Sequence, residues 1–155
     1  KFMRMITVTC DITAPLYWTK QLDTYKVGTV RNSCSTMHKI HAKDFVLDDF
    51  STEYFNTLKG FNFFQQVIDR LNYLRSAYVD ARFVEDWDCA NSLWGEMIQL
   101  LPSCYNQRFT WQANFQVLRN IYHSRKNHKL GEWHDFCNWI ETLPYSELII
   151  RKEQQ

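Results

Sequence analysis

Residues Met5 to Ile12, "MITVTCDI", alternate apolar and polar positions with a period of two. Their Ile, Val and Thr side chains suit a half-buried strand that ends before Pro15. Pro15 is placed to open a helix: Leu16, Tyr17, Gln21 and Thr24 recur on one side to about Lys26, with Trp18, Leu22 and Tyr25 beside them. Gly28 supplies a stop. From Val27 to Lys39 neither period is visible and Ser and Thr abound, so the segment reads as turns leading into a short helix after Ser35. An acidic connection, "DFVLDDFSTEYF", follows.

Helical spacing then dominates. Phe64, Val67, Ile68, Leu71 and Arg75 mark a long amphipathic helix whose polar side carries Gln65, Asp69 and Asn72. Trp87, Ala90, Leu93, Trp94 and Ile98 mark a second, from about Asp86 to Leu101, stopped by Pro102. A third is predicted from about Thr110 to Arg125, with Trp111, Asn114, Leu118, Ile121 and Arg125 on one side. Eleven residues make nearly three turns, so Asn114 and Arg125 would superpose in angle, roughly 16 Å apart along the axis, about the length of a nucleotide. Gly131 to Thr142 forms the last clear helix, with Trp133, Phe136, Cys137 and Ile140 inward, and "YSELIIRKE" is a short strand or helical tail.

Composition narrows the picture. At 155 residues the chain is one domain's worth. Its net charge of +1 gives no global field for double-stranded nucleic acid or a membrane surface, so an anion must be met locally. The five cysteines are scattered without a C-x-x-C pair, which reads as reduced thiols in a cytoplasmic protein. No apolar run is long enough to span a bilayer. The chain opens at Lys1 on a strand-like run without an initiator Met, which leaves room for upstream residues that would complete a site.

Candidate chemistry gathers in two places. "DTYKVGTVRNSCSTMHKI", Asp23 to Ile40, combines hydroxyls, an Asn and cations in a manner suited to phosphate, although a loop of this composition also satisfies its own backbone. Cys34 near His38 is a conceivable nucleophile and base, with a plain polar-loop thiol as the commoner reading. His123, His128 and His134 are spaced by five and six and do not stack on a helix face, so no metal is expected. The basic run Arg119 to Lys129 could touch single-stranded nucleic acid, but cations at the C-terminal end of a helix complement its dipole and read more simply that way.

"TWQANFQVLRNIYHSRKNHKLGEW", Thr110 to Trp133, resembles the C-terminal signature of the flavin-dependent thymidylate synthases, the ThyX family: Trp111, Asn114, Asn120 and Arg125 stand at matching positions. "ITAPLYWTKQLDTYKVGTVRNSCST" is similar to the family's opening region, with Pro15, Gln21, Asn32 and Ser35 in register. The family's "R-H-R" triplet is absent; Asp23, Thr24, Tyr25 and Lys26 occupy its place, Ser33 replaces a glutamate, and Met37 an arginine. The nearest resemblance is to a divergent branch in bacterial viruses and their hosts that lacks the triplet.

The resemblance implies a helix-rich α+β fold with a small antiparallel sheet, a single domain over 1–155, and a homo-oligomer, a tetramer in the family. It implies reductive methylation of dUMP or a related pyrimidine nucleotide, with FAD, NADPH and methylenetetrahydrofolate. Arg125 would be the catalytic residue, stabilising charge on the pyrimidine; Lys26, Asn114 and Asn120 would bind the cofactor; Asn32, Ser33, Ser35 and Arg125 would bind the substrate. Two rivals stand beside an active synthase: a non-catalytic nucleotide-binding protein on the same scaffold, for which the missing triplet speaks, and a helical interaction protein. No nucleic acid or membrane partner is expected.

Overall fold

A computed structural model describes residues 1–33 and 35–151. Strand β1 spans Thr7–Pro15, α1 Leu16–Leu22, β2 Thr29–Ser33, α2 Thr36–Lys39, α3 Leu58–Phe83, α4 Trp87–Leu100, β3 Asn106–Asn114, α5 Phe115–Arg125, α6 Gly131–Glu141 and α7 Glu147–Ile150. The protein is helix-rich with a small antiparallel three-stranded sheet, as expected. The strand order is β1-β3-β2. Two compact units form: Lys1–Ala14, Trp18–Ser33 and Arg108–Gln155 make the first; Pro15–Tyr17 and Cys34–Gln107 make the second.

In the first unit, β3 shows why a sheet with one solvated face reads as alternation. Phe109, Trp111 and Ala113 are buried, while Arg108, Thr110 and Gln112 face solvent. On the exposed face, Asp11 of β1 accepts from Thr110 Oγ1 at 2.7 Å and Arg108 Nη2 at 2.9 Å, and these bonds hold its carboxyl below the usual range. On the covered face, Trp111 meets Phe136 of α6 edge-on at 5.8 Å. Trp18 lies 4.8 Å from Trp133 and 5.5 Å from Phe136, so α1 and α6 share one aromatic core with the sheet.

Two expectations are corrected here. The helix predicted from Thr110 is strand through Asn114 and helix only from Phe115. Val27 to Lys39 is not all turns, because Thr29–Ser33 pairs antiparallel with β3, Thr29 opposite Ala113 and Ser33 opposite Phe109. As an edge strand it buries only one side, so its short polar sequence carries almost no period-two signal.

The second unit is built on the α3–α4 pair. Thr57 caps α3, its hydroxyl accepting from the Gly60 N–H at 3.1 Å, and Asp86 caps α4, accepting from the Cys89 N–H at 3.1 Å. Phe64, Ile68, Leu71 and Leu74 at helical spacing pack with Met97, Ile40, Phe45 and Phe50. Asn72, read as part of the polar side of α3, clamps the preceding connection: it accepts from the Phe45 N–H at 2.8 Å and donates to its carbonyl at 2.9 Å. Among the described residues no helix is long and apolar enough to cross a membrane.

Candidate functional site

The turn after α1 positions the site in the first unit. The Tyr25 N–H bonds the Leu22 carbonyl at 3.0 Å, and Thr29 Oγ1 donates back to the Tyr25 carbonyl at 2.9 Å, closing the turn. Gly28 makes this possible. Its φ is +81°, and a Cβ there would lie 2.8 Å from Asn114 Nδ2 and 3.3 Å from Val117 Cγ2. The turn therefore packs against the N-terminus of α5, where Asn114 Oδ1 caps the helix by accepting from the Val117 N–H at 3.0 Å.

Arg125, in the last turn of α5, meets Tyr25 of the same turn. Its Nε donates to the Tyr25 hydroxyl at 2.9 Å. The guanidinium carbon is 5.0 Å from the ring centre of Trp133, a cation–π contact, and 5.6 Å from that of Tyr25. Trp133 is fully buried and held in turn by its Nε1, which donates to Gln21 Oε1 at 2.7 Å. The fork is thus oriented by one phenol and one indole. Among the described residues no carboxylate pairs with it, and its Nη groups have no hydrogen-bond partner.

Arg31 on β2 is the instructive contrast. Its Nη1 lies 3.0 Å from both carboxylate oxygens of Asp23, and its guanidinium sits 4.0 Å over the Phe109 ring. That cation is already matched by a carboxylate.

The remaining predicted residues are distributed as follows. Lys26 is exposed in the turn between Tyr25 and Gly28. Asn32 and Ser33 are exposed on β2, Asn32 opposite Thr110. Ser35, in the second unit, stands at the N-cap of α2 without a side-chain cap bond. Asn120 is on the exposed side of α5, where it accepts from Gln116 Nε2 at 3.3 Å. Asn114 and Arg125 do not share a helix face, since Asn114 is the extended N-cap residue, with φ −96° and ψ 164°. Cys34, weighed above as a nucleophile beside His38, lies outside the described residues. The structure brings together Arg125 and Tyr25, with Asn114 against the same turn. Trp133 and Gln21 complete the support of Arg125.

No family model matches the sequence, and no curated protein matches it. Solved structures do. A crystal structure of the flavin-dependent thymidylate synthase ThyX from Helicobacter pylori, complexed with FAD and dUMP, is similar over 93% of this chain and 72% of its own, with a TM-score of 0.61 and 16% identity. A second structure of that enzyme with FAD and dUMP, at 2.31 Å resolution, gives the same TM-score and identity over 93% and 71% of the two chains. The chain has a ThyX-like fold. At this identity the likeness is one of fold, and the chemistry has to be argued from the side chains of this ThyX-like chain.

Those side chains can be tested against the flavin that the fold implies. Lys26 has an exposed ammonium with no ion pair among the described residues, and Asn120 an exposed carboxamide bonded only to Gln116; both fit a polar or anionic part of such a group. Asn114 fits less freely, because its oxygen caps α5 and its nitrogen lies against Gly28.

Proposed function

We propose that this chain is a FAD-dependent thymidylate synthase-like protein acting on dUMP or a related pyrimidine nucleotide, with methylenetetrahydrofolate and NADPH as its other reactants. The observation that carries the reading is Arg125: a guanidinium fixed by Tyr25 and Trp133, with no partner for its Nη donors and no carboxylate to neutralise it among the described residues. A planar fork of this kind suits a uracil edge, where a ring carbonyl oxygen with two lone pairs can accept from the guanidinium.

The chain's own contribution is binding, orientation and charge. Tyr25 accepts from Nε, which fixes one edge of the guanidinium. The indole face holds the cation at a fixed depth without consuming a donor, so Arg125 needs little reorganisation as negative charge builds on a bound ring. Lys26 and Asn120 would hold the flavin, and Asn114 would keep the turn carrying Lys26 against α5. Asn32 and Ser33, on the strand of the same unit, would serve the nucleotide. When bound, the flavin supplies the hydride and the folate the one-carbon unit. Assembly as a homo-oligomer, a tetramer, belongs to the same reading, as does membership of the branch lacking the triplet.

A second reading, a nucleotide-binding protein without redox chemistry, is favoured by one observation: Asp23 to Lys26 offers a single exposed ammonium where a flavin pyrophosphate would be better served by guanidinium forks. The visible absorbance spectrum of the purified protein, before and after added FAD, separates the two. A bound yellow chromophore, with tritium release from ring-labelled dUMP that requires reduced flavin, supports the synthase. A colourless protein that takes up no FAD but is stabilised against heat by dUMP supports the second reading. Nucleotide affinity unchanged in Arg125→Ala would overturn the assignment of that residue in both.

A further inference from the structure

A cleft of about 350 Å³ opens in the second unit. Met37 and His38 of α2 and His41 just beyond it form one side, Tyr78 and Arg82 of α3 another, and Asn91 and Trp94 of α4 the third. The size is at the lower end of small-molecule sites. No carboxylate is among these side chains, whereas one permanent and two titratable cations are.

The cations are not matched from outside. Arg82 has no ion pair among the described residues; it lies 5.5 Å from the ring centre of Trp87 and 5.9 Å from that of Tyr78, contacts that leave its N–H edge available. Arg75, by contrast, is spent on the scaffold: it pairs with Asp44 at 2.6 Å and donates from Nε to the His41 carbonyl at 3.1 Å. This bond fixes the backbone of His41, whose ring packs 4.8 Å from Tyr78. His41 Nδ1 is buried and has no partner among the described residues. The imidazole is therefore placed by packing and by its own backbone. Burial and the charges of Arg82, Arg75 and Lys39 hold its pKa below the ordinary value.

The walls are flat. Trp94 donates from Nε1 to the Met37 carbonyl at 2.9 Å, which pins the plane of the indole against α2. A permanent cation with two imidazoles beside a fixed aromatic plane suits a ligand with both an anionic group and a ring. We propose that this cleft binds a phosphomonoester carried on a flat ring, its phosphate at Arg82, His38 and His41 and its ring on the Trp94 side. A monocarboxylate offers fewer acceptor oxygens than a phosphate for the guanidinium and the two imidazoles to share, and a metal cation would be repelled by Arg82. None of the residues of the Arg125 cluster takes part, so this site stands or falls independently of that one.

The test is histidine-imidazole NMR on the whole chain, in the Arg125→Ala background, titrated with phenyl phosphate and in parallel with inorganic phosphate. The expected result is movement of the His38 and His41 signals, with the apparent pKa of His41 raised by about one unit on binding, because an adjacent dianion favours the imidazolium. Inorganic phosphate should bind about tenfold more weakly for want of the ring. Arg82→Gln, an exposed position, and Asn91→Asp, which adds a negative charge, should each weaken phenyl phosphate at least about tenfold. Uridine 5′-monophosphate binding with the same Arg82 dependence would assign the ligand to the nucleotides, and phenyl phosphate binding alone to other aryl phosphates. Equal affinity in both variants, or signals moving only at His123, His128 and His134, would overturn the proposal.

Discussion

Two arginines of one unit carry opposite lessons at the scale of the residue. Arg31 is held by both oxygens of Asp23 and the Phe109 face, so its charge is part of the scaffold. Arg125 is held by a phenol and an indole, and no carboxylate among the described residues neutralises its charge. Arg125→Ala is expected to lower turnover, or nucleotide affinity if there is no turnover, by about 10²-fold or more, the range for losing a preorganised donor. Arg125→Lys should restore little, since an ammonium lacks the fork. Arg31→Ala should leave ligand affinity unchanged, because its Asp23 partner is half-exposed and the pair contributes no more than about 1 kcal/mol to stability. Steady-state kinetics or calorimetric titration of the three variants checks the set. Arg125 became a candidate through the motif resemblance of Thr110 to Trp133, whereas the helix face it was expected to share with Asn114 does not exist. Its support was not legible in the sequence: Tyr25 is a hundred positions away in the chain, and a ring that fixes a cation leaves no local pattern.

The clearest divergence between sequence pattern and structure lies in one element. Trp111, Asn114, Leu118, Ile121 and Arg125 satisfy helical spacing, yet the chain changes from strand to helix at Asn114. Two periods overlap here. Phe109, Trp111 and Ala113 alternate with Arg108, Thr110 and Gln112, and Trp111 of the strand happens to fall in line with the stripe of the helix that follows. Asn114 is a strong capping residue, and that was the available signal for a boundary. Its dual engagement predicts the effects of three substitutions. Asn114→Ala should cost about 1 kcal/mol through the lost cap, with Asn114→Asp retaining most of it. Gly28→Ala should cost more, about 1–3 kcal/mol, because a side chain is strained at φ +81° and its Cβ meets Asn114 Nδ2 at 2.8 Å. Urea denaturation midpoints decide the order of the three. The long helices needed no such adjudication: Phe64 to Leu74 and Trp87 to Met97 carry a single period over several turns, and caps at Thr57 and Asp86 agree with it.

For the whole molecule, local periodicity announced helices and a strand but not how they divide. Pro15–Tyr17 belongs with 34–107, while the residues on either side of it belong with the other unit, an interleaving that no window of neighbouring residues encodes. The two units also place their titrating groups differently. In the first, burial raises the thiols of Cys10 and Cys137 to about 11, whereas Cys89 of the second is exposed. Alkylation of the native protein near neutral pH should therefore modify Cys89 well before Cys10 and Cys137, which should catch up only in denaturant, as mass spectrometry of the peptides would record. In the second unit His41 is the group that couples folding to acid. Lys39, Arg75 and Arg82 face it, Tyr78 packs on it, and Asp44 is already taken by Arg75. Its folded pKa lies below the ordinary 6.5, so the unfolded chain binds the proton more readily. The stability it contributes is full above that ordinary value and is lost as pH falls through the lowered one. Replacing His41 by Gln should flatten the fall in the denaturation midpoint as pH drops below about 6.5. An anion seated beside Arg82 should flatten it as well, in the unsubstituted chain, because it offsets the charges that resist protonation. A fall of equal steepness in both the variant and the parent would place the acid sensitivity in groups other than His41; Asp11, with its depressed pKa, would act only at still lower pH, below the ordinary carboxylate range.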